Sequence, residues 1–178
     1  SKITFPAFSK VSNDINRLRK AYFKVYEFAT SFAIPVSLAI LILAPAIIPF
    51  LLGIKWLEAI PLIQILSIKA LFVIVAATRG PLFLAMNKPG LGAKFRLVRL
   101  AAFLITVYPL SLFYGLIGVS ISVVISCISP MYPAYSMANS LLDSNWKDVL
   151  SASIRGLLLG AFSVFISLLI RYYLIFLL

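Results

Sequence analysis

Long runs without a charge, broken by short clusters of lysine and arginine, dominate this chain. Residues 28–54 carry no charged side chain; as a helix at about 1.5 Å per residue they reach about 40 Å, beyond the roughly 30 Å hydrocarbon core of a bilayer. The run predicts a transmembrane helix, with Pro35, Pro45 and Pro49 inside it as kinks of the kind packed membrane helices accommodate. Residues 59–87 form a second apolar stretch, interrupted by Lys69 and Arg79. On insertion scales each cation near a span's centre costs about 2.5–3.5 kcal/mol, whereas each Leu, Ile, Val or Phe returns about 0.3–0.6, so the sum here lies close to zero. This helix is expected to insert only beside neighbours, with both cations turned toward protein or water.

Residues 100–142 again lack any charge, and a helix of that length would measure about 64 Å, twice the bilayer thickness. They must cross twice, and the turn falls most easily at Tyr114-Gly115-Leu116-Ile117-Gly118. The last apolar segment, 149–178, has Arg155 near its start and Arg171 near its end and spans once. The predicted fold class is therefore all-α, a polytopic transmembrane helical bundle of about five spans, at 28–54, 59–87, 95–113, 119–140 and 149–178. Residues 1–27 differ in kind. Phe5-Pro6-Ala7-Phe8 reads as the cytoplasmic end of a preceding helix. An amphipathic connector follows, capped at Asn13 or Asp14, whose Leu18, Tyr22 and Val25 recur at helical spacing as in a helix lying at the headgroups.

Composition sharpens the picture. Hydrophobic residues are 62% of the chain and charged ones 12%, against roughly 45–50% and about 25% in a soluble domain. The net charge of +11 could suggest nucleic acid, but the cations lie in loops between apolar runs rather than on a polar face. Threading five spans alternately puts Lys2, Lys10, Arg17, Arg19, Lys20 and Lys24 on one side with Lys88, Lys94, Arg96, Arg99, Lys147 and Arg155. Only Lys55 and Arg171 fall opposite, so the positive-inside rule makes the N-terminal segment cytoplasmic. The chain starts at Ser1 with no signal-peptide pattern after it, and we expect a piece of a longer protein or a trimmed one.

Catalytic chemistry finds little footing. There is no His, and the one Cys, Cys127, sits in an apolar run, so Ser-His-Asp arrangements and Cys/His metal sites are absent. Gly90 and Gly92 lack the spacing of a phosphate loop. Asp143 and Asp148 read as solvated loop and helix-start acids. No catalytic residue, metal ligand or cofactor is expected. Trp56, Tyr108, Tyr114, Trp146, Tyr172 and Tyr173 fall near predicted span ends, as in an interfacial aromatic belt. Gly156 and Gly160 form a small-xxx-small pair suited to close packing within the chain or, as the alternative, between chains.

Several pieces occur in a telling order: Phe5-Pro6-Ala7-Phe8-Ser9, the elbow Arg17-Leu18-Arg19-Lys20-Ala21-Tyr22, Leu52-Gly53-Ile54-Lys55-Trp56, Met86-Asn87-Lys88 and Tyr114-Gly115-Leu116-Ile117-Gly118-Val119. Together they resemble the C-terminal half of polysaccharide biosynthesis flippases, the O-antigen and capsule exporters of the multidrug/oligosaccharidyl-lipid/polysaccharide exporter superfamily. The resemblance implies one lobe of a two-lobed exporter fold. In that family two helical bundles rock about a central cavity and move a polyprenyl-pyrophosphate-linked oligosaccharide outward across the inner (cytoplasmic) membrane, for lipopolysaccharide and other cell-envelope polymers. The implied partners are that lipid-linked oligosaccharide, membrane lipids and the missing N-terminal lobe, supplied by the same or a partner chain.

A pathway for pyrophosphate anions benefits from cations held where the dielectric is low, and Lys69 and Arg79 are the candidate cavity cations. Ten residues at 100° fall 80° short of three turns, so both project from one broad side of an unbroken helix. The alternatives are that Arg79 snorkels to the interface and that Lys69 makes a structural bond across helices, Glu58 being too far along the axis for contact. Two other functions fit the same residues: a cation-coupled drug exporter of the same superfamily, and a non-catalytic membrane subunit of envelope-polysaccharide assembly.

Overall fold

The computed structural model describes residues 14–177, so Phe5–Ser9, Lys2, Lys10, Asn13 and Leu178 lie outside the described residues. Helix α1 spans Ile15–Leu52 and begins at Asp14, whose Oδ1 accepts from the backbone N–H of Asn16 (3.0 Å) and of Arg17 (3.1 Å). A carboxylate there satisfies two of the four amide groups that a helix start leaves unbonded. The helix is about 57 Å long, nearly twice the hydrocarbon thickness, so it projects well beyond one face of a bilayer. The connector and the first predicted span are thus one continuous helix. The periodicity of Leu18 and Tyr22 is used against protein rather than headgroups: both are fully buried, packed on Leu82, Phe83, Ala138 and Leu142.

Pro35, Pro45 and Pro49 all lie inside α1. Pro45 has no N–H to give the carbonyl of Leu41, four residues back, and that carbonyl instead accepts from Gln64 Nε2 at 2.9 Å. A side chain of the next helix therefore replaces the bond that the proline removed, as a chain in hydrocarbon requires. Substituting Gln64→Leu strands that carbonyl. The expected outcome is a loss of about 1 kcal/mol, seen as a lower unfolding midpoint in detergent, and an unchanged midpoint would show that the carbonyl needs no partner.

Gly53 (φ 84°) ends α1, and a 3₁₀ turn at Ile54–Ala59 leads into α2, Ile60–Ala77. A turn at Thr78 separates α2 from α3, Arg79–Ala85. The chain continues as α4 (Pro89–Ile128), α5 (Met131–Leu141) and α6 (Trp146–Leu177). Four stretches among the described residues are long and apolar enough to cross a membrane: Ile15–Leu52, Ile54–Ala85, Pro89–Leu141 and Trp146–Tyr173.

The third of these reverses at Gly115, where φ is 54° and ψ −132°. In an unbroken helix Leu110 and Gly118 would lie about 12 Å apart, yet Gly118 abuts the Leu110 carbonyl. The chain folds back on itself and supplies two arms, 89–114 and 116–141, each about 39 Å long and each sufficient for one crossing. About five spans, with the turn inside 114–118, is what the uncharged run predicted.

Helix α1 is the hub, packed along α6 on one side and α2 on another, with α2 in turn against α4. Residues from the 18–25, 82–95 and 138–142 segments share one core, which gathers the basic loops at one end of the bundle. Two tight turns shape that end. Asn87 (φ 53°) and Asp143 (φ 46°) take left-handed conformations at the ends of α3 and α5. In each, the next residue's N–H reaches five residues back, Lys88 to the Phe83 carbonyl (2.8 Å) and Ser144 to the Asn139 carbonyl (3.0 Å), closing a Schellman turn. Elsewhere the surface is hydrocarbon: Phe113, Ile105, Leu158 and Phe165 all stand exposed. An aqueous solvent would not tolerate so continuous an apolar exterior, and lipid does.

Candidate functional site

Arg79 opens α3 and is only 5% exposed. Its guanidinium carbon lies 4.2 Å from the centroid of the Tyr135 ring, and Nη1 donates to the Met131 carbonyl at 3.4 Å. The turn at Thr78 and the approach of α5 bring the two together. A guanidinium can occupy this site because it is weakly hydrated and planar, and a desolvated cation over an aromatic face gains about 2 kcal/mol or more. Arg79 therefore lies buried against Tyr135 rather than on the surface of the chain. It points inward, into protein.

Around it stands a set of tyrosines. Tyr22 shares a hydrogen bond with Thr78, the residue before Arg79. The Tyr26 and Tyr135 rings meet edge to face at 6.1 Å, and the Tyr135 hydroxyl donates to that of Tyr26 at 3.4 Å. Ser153 Oγ, from α6, donates to the same Tyr26 oxygen at 3.4 Å. Beyond Tyr135, Trp146 lies 6.1 Å away and stacks on Tyr132 at 6.0 Å. Four helices, α1, α3, α5 and α6, are thereby tied together by polar and aromatic contacts just inside the basic end.

Lys69 has a different setting. It sits mid-way along α2, half-buried, and among the described residues no hydrogen bond or ion pair engages it. Glu58 is exposed in the 3₁₀ turn and makes no bridge to it. The structure does not bring Lys69 and Arg79 to one place. They are separated by about 15 Å of helix, and the interruption at Thr78 removes the single axis on which both were placed on one side.

The tyrosine cage was missed by sequence reasoning apart from Tyr22, which was placed at the headgroups. Its signal was the i, i+4 pair Tyr22 and Tyr26 on the stripe that also holds Leu18, an aromatic track too polar for lipid and too apolar for water. The Gly156 and Gly160 pair faces α1 within the chain, against Thr30, Ile34 and Leu38. The ion pair of Arg155 Nε with Glu27 Oε1 (3.0 Å) and the bond from Ser163 Oγ to the Pro35 carbonyl (2.9 Å) line the same seam.

Fold and site define a multi-pass α-helical membrane protein whose basic loops lie at one end and whose one buried cation, among the described residues, lies over the Tyr135 ring. Comparison with known proteins carries this further. Residues 1–61 match the family described as polysaccharide biosynthesis protein. Over 125 residues the chain is 30% identical to a protein described as an uncharacterized membrane protein in the cps region of Klebsiella pneumoniae, covering 70% of this chain and 26% of that one. Over 149 residues it is 24% identical to the lipopolysaccharide biosynthesis protein WzxC of Escherichia coli K12, covering 83% of this chain and 30% of that one. The chain thus spans less than a third of the length of these curated relatives. No solved structure matches it significantly. These likenesses support the polysaccharide biosynthesis family implied by the ordered motifs, and the chain is a membrane protein related to those of polysaccharide and lipopolysaccharide synthesis.

Proposed function

We propose that this chain forms the C-terminal lobe of a flippase that moves a polyprenyl-pyrophosphate-linked oligosaccharide across the cytoplasmic membrane for cell-surface polysaccharide synthesis. The observation that carries the reading is the similarity to a lipopolysaccharide biosynthesis membrane protein over 83% of the chain. On this reading the basic end faces the cytoplasm, where loop cations are retained during insertion, and the lobe acts as a carrier that makes and breaks no bond in its cargo.

Lys69 is the cation that the pyrophosphate meets. It is half-buried at mid-span without a protein partner among the described residues, so its charge is available where the low dielectric makes an anion's attraction strongest. Arg79 is held in reserve: the Tyr135 contact occupies it in this conformation, and it reaches the pathway only when α3 and α5 part. The N-terminal lobe, from the same or a partner chain, and the lipid-linked oligosaccharide complete the assembly.

Export in cells carrying the full-length protein tests this. Lys69→Leu should lower surface polysaccharide about tenfold or more, the loss expected from one charge-assisted contact, while Lys69→Arg keeps most of it. The lipid-linked precursor should accumulate inside. Normal export by the leucine variant, with normal protein level, would remove Lys69 from the pathway, and normal export in cells lacking the protein altogether would end the flippase reading.

A further inference from the structure

The seam between α1 and α6 opens on one side into a furrow whose two halves differ in chemistry. Toward the basic end is a recess of about 570 Å³ whose lining includes Arg19, Lys20, Lys24, Glu27 and Asp148. Deeper along the same helices is a second recess of about 570 Å³, lined by residues such as Phe28, Phe32, Val36, Phe162, Ile166 and Ile170. The two adjoin where Lys24 of the first is followed, one turn on, by Phe28 of the second. On α1, Lys20, Lys24, Phe28, Phe32 and Val36 follow one another at intervals of four and all stand exposed, a ridge that winds about 40° around the helix at each step. On α6 both sets are rotated in one sense from Gly156 and Gly160, and the Arg155–Glu27 bridge lies at the junction.

The charges at the mouth are unbalanced. Glu27 is paired with Arg155, and Asp148 Oδ2 accepts from the Asn145 N–H at 3.0 Å, so both acids are engaged. Lys20 and Lys24 are exposed, and among the described residues neither makes an ion pair. Lys24 lies one turn, about 6 Å, before Phe28, where the uncharged run begins. That spacing puts an anion held by the lysines at the edge of the hydrocarbon, where a lipid phosphate sits. From residue 28 to residue 43 the apolar half runs about 22 Å along α1, more than the roughly 15 Å depth of one leaflet's hydrocarbon.

We propose that this furrow binds one anionic diacyl phospholipid of the surrounding bilayer, its phosphate at Lys20 and Lys24 and an acyl chain along Phe28, Phe32, Val36 and the facing residues of α6. The site is separate from Lys69 and Arg79 and does not depend on what the protein exports. Juxtamembrane cations attract anionic headgroups, and a fixed apolar track beneath them converts that general attraction into a site with a defined occupant.

Native mass spectrometry of the detergent-purified full-length protein, titrated with phosphatidylglycerol, phosphatidylethanolamine or undecaprenyl phosphate, tests the proposal. Phosphatidylglycerol should be retained roughly tenfold more tightly than phosphatidylethanolamine. The double substitution Lys20→Gln and Lys24→Gln, at exposed positions outside the core, should abolish that preference, and Val36→Trp should weaken phosphatidylglycerol binding by filling the track. Equal retention of the two phospholipids, or a preference untouched by either variant, would overturn the proposal. Displacement of phosphatidylglycerol by equimolar undecaprenyl phosphate would overturn it in favour of the polyprenyl lipid as occupant.

Discussion

A valine at Gly156 is expected to unseat α6 from α1 and to cost about 3 kcal/mol or more, the upper part of the range for overpacked sites. A Cβ built on Gly156 lies 2.8 Å from both the carbonyl carbon and oxygen of Thr30 and 3.0 Å from Ile34 Cδ1. The first two are backbone atoms of a continuous helix and cannot rotate away, so the helices themselves must separate. Separation has further costs, because Ser163 Oγ would leave the Pro35 carbonyl and Arg155 would leave Glu27. In hydrocarbon there is no water to take over the carbonyl, and dispersion between closely approaching helices supplies much of the association. At Gly160 the nearest atoms are side-chain atoms, Ile34 Cγ2 at 2.6 Å and Leu38 Cδ1 at 3.2 Å, which can partly yield. Gly160→Ala should therefore destabilise less than Gly156→Ala. Thermal unfolding in detergent, followed by exposure of Cys127 to a thiol dye, measures both, since Cys127 is buried in the folded chain. A Gly156→Val protein that unfolds at the parent temperature would contradict the packing described here. If instead only its oligomeric state changed, the glycine pair would belong between chains.

What the sequence made legible depends on whether the governing interaction is local or a matter of length. The reversal at Gly115 could be read because no charge interrupts residues 100–142 and a bilayer sets a maximum length, with glycine marking the available turn. The basic end could be read because the clusters alternate with the spans. That connector and span form one continuous helix was not legible for a physical reason: charge stops at residue 27, but helical periodicity does not, and α1 runs through it from Ile15 to Leu52. Arg79 was beyond reach. Insertion scales score each residue alone, and the groups that make its burial tolerable, Tyr135 and the Met131 carbonyl, belong to a distant part of the chain. The partner of the Pro45 kink was hidden in the same way, since Gln64 in isolation is only a polar residue in an apolar run. Lys69 lies half-buried midway along α2, and among the described residues no hydrogen bond or ion pair engages it.

The hairpin at Gly115 makes the second large prediction, because two glycines there do different work and should fail differently. With φ 54° and ψ −132°, Gly115 holds a conformation that side chains with a Cβ rarely enter, so Gly115→Ala should cost about 1–3 kcal/mol as backbone strain although nothing lies within 4 Å of the added methyl. Gly118 has an ordinary helical backbone but abuts the Leu110 carbonyl and the Ser111 nitrogen, and any side chain there collides with backbone. Gly118→Val should therefore splay the two arms and cost more, about 3 kcal/mol or above. The distinction can be measured with a D-alanine introduced by semisynthesis. At position 115 D-alanine suits positive φ and should restore stability to near the glycine value, whereas at position 118 L-alanine meets the Leu110 backbone and D-alanine is disfavoured by a right-handed helix, so both should lower the unfolding temperature. The splayed arms would also lengthen the distance between spin labels placed at Phe103 and Val124, one on each arm. A Gly118→Val protein with the parent stability and an unchanged label distance would mean that residues 110 and 118 do not touch, and the reversal at Gly115 would then be a bend rather than a return crossing.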